Sequence, residues 1–331
     1  MDLAAWPRVP LAHLPTPLEP MTRLWRSMGG GPSVWVKRDD ATGLAGGGNK
    51  TRKLEYLAAQ AQAAGADWLV TTGGVQSNHA RQTAAAAARL GMGCDLVLTR
   101  AVPDRDTVYE ATGNIQLDQL LGAWVHIHPA GTDRTEAMEE VAATRRGEGQ
   151  TPFVIPTGGS TETGSLGYVR AALELVNQAA ERDLRLDAVI APASSGGTLA
   201  GLLVGLQALN HSARVIGIDV EADAATTRRT VAGLAASTAY ELGVTPPAAE
   251  RLHIEGAYAG PAYGIPTEAT LAAARRAART EGLVLDPVYS AKAMAGLLDL
   301  VETGTLTGSE TAVFLHTGGL PGLFAYPGAA P

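Results

Sequence analysis

The sequence has little of what would set it apart from an ordinary globular chain. It contains one cysteine, Cys94, so no disulfide bond can form within the chain. It also lacks an excess of basic residues, since 26 lysines and arginines face 33 aspartates and glutamates, a net charge of -7. Nucleic-acid binding needs a concentrated positive surface, and a membrane span needs a longer apolar run than any found here. We therefore expect neither a nucleic-acid partner nor a membrane partner.

The N-terminal segment does not read as an export signal. Five prolines fall in its first 20 residues, and no basic stretch leads into an apolar one. A cytoplasmic location is therefore expected, with Cys94 as a small core residue. The length of 331 residues, 46% of them hydrophobic, predicts two domains or one large domain with a subdomain.

Short aliphatic runs alternate with alanine-rich helical stretches along most of the chain. This alternation predicts parallel β-sheets covered by helices. The predicted strands are residues 34–37, 67–71, 94–98, 123–128, 153–156, 187–191, 214–220 and 311–316. Helices are predicted at residues 51–64, 78–90, 169–180 and 268–280, with Asn49 and Thr267 as N-caps and Gly65, Gly91 and Gly282 at the C-terminal ends.

Four of the strands end in similar glycine turns. In open α/β sheets, ligands bind outside the carboxyl ends of the strands, and glycine there lets backbone N–H groups approach a ligand closely. The pattern therefore predicts one crowded, polar site. The turns are TTGG (71–74), PTGG (156–159), SSGG (194–197) and HTGG (316–319).

Several ligand classes lack their sequence signatures. No G-x-G-x-x-G follows a predicted strand, which argues against a nicotinamide dinucleotide. In GLAGGGNKT an asparagine interrupts the G-K-[ST] spacing of a nucleotide-phosphate loop. His126 and His128 alternate on a predicted strand, but no third ligand is recognisable nearby, so no metal site is predicted.

Lys50 stands out because of its position. It follows three glycines at 46–48 and lies in the first turn of a predicted helix. The positive end of the helix dipole, with Arg52 and Lys53 close by in sequence, should lower the pKa of its ammonium. A neutral amine is what imine formation with an aldehyde requires. A solvated lysine in an ordinary glycine turn explains the same pattern, so the decision depends on context.

Two further turns have the residues to bind anions. Ser77 and Asn78 open a helix after the first glycine turn, and free N–H groups at a helix N-terminus bind a carboxylate well. Ser195 and Thr198 offer hydroxyls beside backbone amides at the third turn, which suits a phosphate. Ordinary N-caps and close helix packing explain the same residues, and His79 alone is more typical of a packed histidine.

A resemblance to a known family supplies that context. Six segments carry it in order: KRDDATGLAGGGNKTRKLEYL (37–57), GGVQSNHARQTAAAAARLG (73–91), IPTGGSTETGSLGYV (155–169), YGIPTEATL (263–271), LDPVYSAKAMAGL (285–297) and FLHTGGLPGLFAY (314–326). Together they resemble the family of D-cysteine desulfhydrase and 1-aminocyclopropane-1-carboxylate (ACC) deaminase. The likeness extends over nearly the whole chain and favours a catalytic Lys50.

The resemblance implies an α/β fold of type II among the pyridoxal-phosphate enzymes, like tryptophan synthase β. In this fold two open, twisted and mostly parallel sheets are flanked by helices. Residues 1–52 and 162–331 would form a large cofactor-binding domain, and residues 53–161 a small inserted α/β domain. A homodimer and a small amino-acid substrate are implied likewise.

By motif match, the resemblance also implies the residues of the site. Lys50 would bind pyridoxal phosphate covalently and act as the base for the α-proton of the substrate. The catalytic residues would be Lys50, Ser77, Tyr263 and Tyr289, and the substrate would contact Ser77, Asn78, His79, Tyr263 and Tyr289. The cofactor would contact Lys50, Asn78, Ser195, Gly196, Gly197, Thr198, Ser290 and Thr317.

Three residues favour the desulfhydrase within this family. ACC deaminases have motifs like DPVYEGKS, HLGG and QSNQ. In this chain the corresponding positions have Ser290 in place of the glutamate, Thr317 in place of the leucine and His79 in place of the last glutamine. A glutamate facing the pyridine nitrogen keeps it protonated and strengthens the electron sink, and the loss of a thiolate needs this less than the opening of a cyclopropane does. We therefore predict a D-cysteine desulfhydrase that forms pyruvate, hydrogen sulfide and ammonia. L-cysteate sulfo-lyase, ACC deaminase and an inactive cofactor-binding or amino-acid-binding protein are the alternatives.

Overall fold

The computed structural model describes residues 3–103 and 105–329. These residues form ten strands: β1 (Leu18–Pro20), β2 (Ser33–Arg38), β3 (Trp68–Gly74), β4 (Gly93–Thr99), β5 (Trp124–His128), β6 (Pro152–Ile155), β7 (Ala188–Ala193), β8 (Arg214–Asp219), β9 (Leu252–Glu255) and β10 (Thr311–His316). They also form eleven helices: α1 (Thr22–Ser27), α2 (Lys50–Ala63), α3 (Asn78–Leu90), α4 (Asn114–Leu120), α5 (Arg134–Gly147), α6 (Glu162–Ala180), α7 (Gly197–Ala208), α8 (Ala224–Glu241), α9 (Glu268–Glu281), α10 (Ser290–Glu302) and α11 (Leu320–Leu323).

The strands form two sheets. One has six strands in the order β1-β2-β10-β7-β8-β9, in which only the β1–β2 pair is antiparallel. The other has four parallel strands in the order β5-β4-β3-β6. The predicted α/β fold with two mostly parallel sheets is therefore confirmed. All four strands of the smaller sheet fall within residues 53–161, but the domain boundaries themselves stay a prediction.

Both sheets are covered on both faces, which explains why the central strands are mostly apolar along their whole length. Strand β7 shows this alternation most clearly. Val189 and Ala191 pack into a cluster with side chains of α6, α7 and α8, whereas Ala188 and Ile190 pack into a second cluster with α9 and α10. In the smaller sheet, one face packs against α2 and α3 and the other against α5. Cys94 is buried on the face that packs against α2 and α3, as expected.

The sequence missed two strands, β1 and β9. Each has only three or four residues and lies at an edge of the six-stranded sheet, so neither carries enough residues for a periodic signal. Some helix ends were predicted better than these short strands, because the capping residues and glycines that mark them lie next to the helix in sequence. Thr267 caps α9 and Gly282 ends it in the left-handed region with φ 68°, as the sequence indicated. No helix in the described part of the chain combines the length and the apolar character needed to cross a membrane.

A group of buried ionic side chains, called here the Arg52 cluster, joins α2 to β2 and α6. Arg52 is 1% exposed and donates two hydrogen bonds of 2.8 Å to Asp39 and two more, of 2.9 and 3.0 Å, to Glu174. Lys37 of β2 also donates to Glu174, at 2.5 Å. Burial alone would raise the pKa of Glu174, but the bonds from Arg52 and the charge of Lys37 lower it to about 2. The cluster therefore fixes the first turn of α2, where Lys50 lies.

We predict that Arg52→Met strongly destabilises the fold. It would leave Asp39, which is 0% exposed, as a buried charge without its cation. Breaking a buried ion pair from one side typically lowers the free energy of unfolding by about 3–5 kcal/mol. Urea unfolding followed by circular dichroism measures this loss. The matched control is Arg146→Met, whose pair with Glu139 is exposed and should be worth less than about 1 kcal/mol. Equal urea midpoints for the two variants would contradict the assignment.

Candidate active site

A cavity of about 320 Å³ opens where strands of both sheets end. All four predicted glycine turns contribute to its wall, through residues 73–74, 157–158, 194–196 and 317. The carboxyl ends of parallel strands meet at one edge of a sheet, so turns that are far apart in sequence converge there. The cavity also contains ten of the predicted site residues: Lys50, Ser77, Asn78, His79, Ser195, Gly196, Thr198, Tyr263, Tyr289 and Thr317.

Two predicted site residues do not lie on the cavity wall. Gly197 is the first residue of α7, and its backbone N–H donates to Ser160 Oγ at 3.1 Å. Ser290 is 0% exposed at the start of α10, where its hydroxyl donates to Asp286 Oδ1 at 2.5 Å. Asp286 N–H donates to the hydroxyl oxygen of Ser290 in return, at 2.8 Å. Contact of either residue with a cofactor stays a prediction.

Lys50 is the first residue of α2 and is held in place by its neighbours in the glycine loop. Gly47 has a φ of 74°, and a Cβ there would lie 1.9 Å from the carbonyl oxygen of Asp40. Only glycine fits so close to that backbone. Asn49 N–H donates to Thr317 O at 3.0 Å, and Lys50 Nζ donates to Asn49 Oδ1 at 3.1 Å. The amine is therefore anchored by the turns after two different strands.

Burial lowers the pKa of Lys50 to about 8. The charge of Asp286 opposes this shift and that of Arg81 adds to it. The sequence predicted the direction but named the wrong cations. Arg52 is neutralised within its own cluster, whereas Arg81, 31 positions away in sequence, is brought close by the packing of α3 against α2. An amine with this pKa is partly neutral near physiological pH.

Asn49 does not cap α2 as the sequence predicted. Its side chain accepts no hydrogen bond from the backbone N–H groups of the first turn. Instead it donates through Nδ2 to Thr198 Oγ1, at 2.9 Å. The bond ties the start of α2 to the start of α7. Tertiary contact has thus replaced a local capping bond, which the sequence could not show.

The start of α7 has the groups expected of a phosphate site. Gly196 turns the chain with φ 92°, and the helix N-terminus follows. Lys53, 1% exposed, donates through Nζ to Gly158 O and Ser160 Oγ, both at 3.0 Å. Ser160 Oγ in turn donates to Ser195 Oγ at 2.8 Å. The N-terminal end of a helix, hydroxyl groups and a buried amine suit a phosphorylated ligand.

Lys53 and Ser160 were missed as members of this site by the sequence reasoning. Lys53 lies one helix turn after Lys50, on the same face of α2, and Ser160 directly follows a glycine turn. These two spacings were visible in the sequence, but only the fold shows that both side chains reach α7. Burial and the nearby Lys50 hold the pKa of Lys53 well below its usual value.

The start of α3 forms a second anion-binding end in the same cavity. Ser77 is its N-cap, and its hydroxyl accepts the N–H of Ala80 at 3.1 Å. Asn78 Oδ1 accepts from Arg81 at 3.2 Å and from Asn114 at 3.1 Å, which fixes the amide. Arg81 also donates to Gly47 O at 2.6 Å, so the loop before Lys50 is tied to the start of α3.

His79 is a neutral, buried member of the cavity wall. Its Nε2 lies 2.9 Å from Thr71 Oγ1. Burial, with the charges of Lys50 and Lys53, lowers its pKa well below the usual value. Its Nδ1 is buried and has no hydrogen-bond partner among the described residues. A buried ring nitrogen without a partner is expected where a ligand completes the site.

Tyr263 and Tyr289 lie together, with their hydroxyl groups in hydrogen-bond contact and ring centroids 5.9 Å apart. Burial raises the pKa of both phenols, so both keep their protons at neutral pH. Tyr289 precedes α10. The buried Nζ of Lys292, in the first turn of that helix, donates to the carbonyl oxygens of Ala259 and Ala262 in the loop before Tyr263. Lys292 thereby ties the two tyrosine-bearing segments together.

The described residues contain no group of three or more histidine, cysteine, aspartate or glutamate side chains placed to hold a metal ion. His126, weighed as a ligand from the sequence, donates through Nε2 to Asp95 Oδ1 at 2.7 Å. This carboxylate also accepts from Arg145 and Trp68. The pair is therefore part of a structural network beside the smaller sheet.

The cavity combines a lysine of lowered pKa with a helix start that has the groups expected of a phosphate site, which fits a phosphorylated aldehyde. Residues 9–318 match the family profile described as pyridoxal-phosphate dependent enzyme. The chain belongs to this family. The prediction of a pyridoxal-phosphate enzyme is therefore confirmed, and the residues around Lys50 and α7 fit the group.

Relatives place the chain in one part of this family. An ACC deaminase from Burkholderia cenocepacia is 44% identical over 333 residues, covering 99% of this chain and 98% of that protein. A D-cysteine desulfhydrase from Yersinia pestis is 43% identical over 324 residues, covering 98% and 97%. The resemblance to the group that contains both enzymes is confirmed. Because the two identities are nearly equal, they do not decide between the two substrates.

Solved structures agree with this placement. A crystal structure described as an ACC deaminase homologue superposes with a TM-score of 0.89 at 39% identity, covering 98% of this chain and 95% of that one. A crystal structure described as a threonine deaminase gives a TM-score of 0.61 at 25% identity, with 92% of each chain covered. The type II fold is therefore shared with enzymes that differ in substrate.

We predict that the apoprotein reacts with pyridoxal phosphate at a rate that follows the neutral fraction of Lys50. The pKa of about 8 means that the rate rises about tenfold per pH unit below pH 8 and levels off above it. Stopped-flow absorbance of the lysine-bound cofactor measures this rate. The control is N-acetyl-lysine, whose amine has its usual pKa of about 10.4. A protein rate that keeps rising with that control to about pH 10 would show that the pKa of Lys50 is not lowered.

Proposed function

We propose that this protein is a β-elimination lyase that converts D-cysteine to pyruvate, hydrogen sulfide and ammonia. The observation that carries the proposal is residue 290. Ser290 offers a neutral hydroxyl, already bonded to Asp286, at the position where the deaminase pattern has a glutamate. A hydroxyl can donate a hydrogen bond but cannot keep a pyridine nitrogen protonated. A weaker electron sink suits the loss of a thiolate from the β-carbon.

Within this proposal, the cofactor would be held by groups that the cavity brings together. Lys50 would bind it covalently, and Ser195, Gly196, Gly197 and Thr198 would receive its phosphate at the start of α7. The buried amine of Lys53 adds a further hydrogen-bond donor beside that turn. Asn78, Thr317 and Ser290 would contact the ring. Pyridoxal phosphate, when bound, supplies the electron sink that acidifies the α-proton of an amino acid.

The substrate would be oriented by the start of α3. Its carboxylate would bind the free N–H groups there together with Ser77 and Asn78. His79, neutral and with an unpartnered Nδ1, would contribute a further polar contact. Lys50 lines the same cavity, so the α-carbon of a substrate bound in this way would face a wall that includes its amine.

Lys50 would then remove the α-proton. With the cofactor bound, the free amine of Lys50, whose lowered pKa favours its neutral form, would act as the base. The C–H bond would break, its electron pair would form the Cα–Cβ double bond, and the C–S bond would break with release of hydrosulfide. The released aminoacrylate would react with water to give pyruvate and ammonia. The paired phenols of Tyr263 and Tyr289 would donate a proton to the departing sulfur or orient it.

The alternatives share most of this site. An L-cysteate sulfo-lyase would use the same groups with sulfite as the leaving group, and an ACC deaminase would have to open a ring without a carboxylate at residue 290. An inactive binding protein would not need Lys50 with a pKa of about 8 beside two protonated tyrosines. The homodimer and the cytoplasmic location stay predictions.

We predict that Tyr289→Phe and Tyr263→Phe each lower kcat for D-cysteine by about 10²-fold or more, because each removes a phenolic proton at the proposed leaving-group position. The visible band of the bound cofactor should be retained in both variants. Steady-state pyruvate formation gives kcat, and absorbance gives cofactor content. Tyr240→Phe is the matched control, since that phenol is 84% exposed on α8. A kcat close to that of the wild type in both cavity variants would remove the tyrosines from the reaction.

A substrate panel tests the proposed reaction itself. Pyruvate and 2-oxobutyrate should be measured with D-cysteine, L-cysteine, β-chloro-D-alanine, L-cysteate, D-serine and ACC. We expect pyruvate from D-cysteine and β-chloro-D-alanine, with hydrogen sulfide released from the former. Turnover of ACC alone, with 2-oxobutyrate as product, would show that the interpretation of Ser290 is wrong. Pyruvate from L-cysteate alone would establish the sulfo-lyase instead.

A further inference from the structure

Arg134 is a cationic member of the cavity wall to which neither the motifs nor the comparisons assign a role. It is the first residue of α5, beside the smaller sheet, and lies on the wall together with Tyr263. Apart from Lys50, it is the only lysine or arginine among the described residues that line the cavity. A guanidinium always carries its charge, so Arg134 is a permanent cation on the cavity wall.

The guanidinium of Arg134 is held in one orientation. Its Nε and Nη2 donate to Thr99 Oγ1 at 3.0 and 2.6 Å, and Thr99 is the last residue of β4 and 3% exposed. The backbone is fixed as well, because Asp133 caps α5 by accepting the N–H groups of Thr135 and Glu136. The cation is thus pre-organised by contacts that do not neutralise it.

Arg134 also lacks a carboxylate partner. No acidic side chain of the described residues lies within ion-pair distance of it, and Nη1 donates to no protein acceptor there. The carboxylate on the cavity wall, Glu221, instead accepts the hydroxyl of Ser194 at 2.5 Å. A charged guanidinium that faces a cavity without a counter-ion is suited to an anionic ligand group.

The other anionic groups of a cofactor and an amino acid already have places in the proposed site. The phosphate would lie at the start of α7 with Lys53, and the substrate carboxylate at the start of α3 with Ser77. Arg134 would therefore be left for a third anion. In an amino-acid substrate, that anion is carried by the side chain.

We propose that Arg134 is a specificity residue that binds an anionic β-substituent of the substrate. The site would then prefer amino acids whose side chain ends in a thiolate, sulfonate or carboxylate over neutral analogues of similar size. This inference rests on the proposed function, because it takes the cavity to bind an amino acid. It extends that function by naming a substrate class, to which L-cysteate belongs through its sulfonate and D-cysteine through the thiolate form of its side chain.

Binding without turnover provides the first test. The visible band of the holoenzyme is titrated with D- and L-aspartate, which carry an anionic β-substituent, and with D- and L-alanine, which carry none. The wild type should bind aspartate more tightly than alanine. Arg134→Gln should weaken aspartate binding about tenfold or more and leave alanine within about twofold, whereas Arg134→Lys should restore part of the loss. Equal weakening of both ligands would indicate a structural role and overturn the proposal.

Kinetics provide the second test, with the leaving group as the variable. Arg134→Gln should raise KM for D-cysteine about tenfold more than KM for β-chloro-D-alanine, whose β-substituent is neutral. Arg100→Gln is the matched control, because Arg100 follows Thr99 in sequence but pairs with Glu110 at the surface. Arg100→Gln should leave the ratio of KM for D-cysteine to KM for β-chloro-D-alanine unchanged.

The two tests separate this inference from the proposed function. If D-cysteine is not a substrate but aspartate is still preferred to alanine and the preference is lost in Arg134→Gln, the proposed reaction fails and the anion site stands. A wild type without preference for aspartate over alanine overturns the anion site, whatever the substrate panel shows.

Discussion

The position of Lys50 depends on the buried guanidinium of Arg52, two residues further along α2. Arg52 binds the buried Asp39 and the partly buried Glu174, so the first turn of α2 is fixed against β2 and α6. Buried ion pairs of this kind add little net stability, but they tolerate only one arrangement, because any other leaves a charge without its partner. The amine at the cavity is thus placed by interactions behind it, and the groups in front of it stay free to meet ligands.

The rest of the site follows from the direction of the parallel strands. Their carboxyl ends meet at one edge, so the helices that follow begin there, and the positive ends of α3 and α7 point into one cavity. Arg134 adds a full charge on its wall, and the buried amine of Lys53 lies beside the wall, bound to Gly158 O. A site in which two helix N-termini and a guanidinium lie apart from one another suits ligands with several anionic groups, such as a phosphorylated cofactor together with a carboxylated substrate.

The wall formed by the tyrosines differs from these positive ends. Tyr263 and Tyr289 remain protonated because burial disfavours the phenolate, and each hydroxyl engages the other. Lys292 holds the loop before Tyr263 to the helix after Tyr289 through two carbonyl oxygens. The cavity therefore has neutral proton donors on one side and a base of lowered pKa on another. Proton removal at one carbon and departure of a group from the next require this division.

The sequence by itself determined the longer strands, several helices, the glycine turns and the position of Lys50 after one of its glycine runs, because these depend on local periodicity and on backbone conformations that glycine favours. The resemblance of its motifs to a known family then indicated the cofactor. Only the tertiary structure decided which distant groups act on that lysine: Arg81 in place of Arg52 as the nearby cation, and Asn49 bound to Thr198 in place of its own helix. It alone brought Arg134 to the cavity. Such contacts join residues far apart in sequence, and no local pattern encodes the distance between them until the sheets have formed.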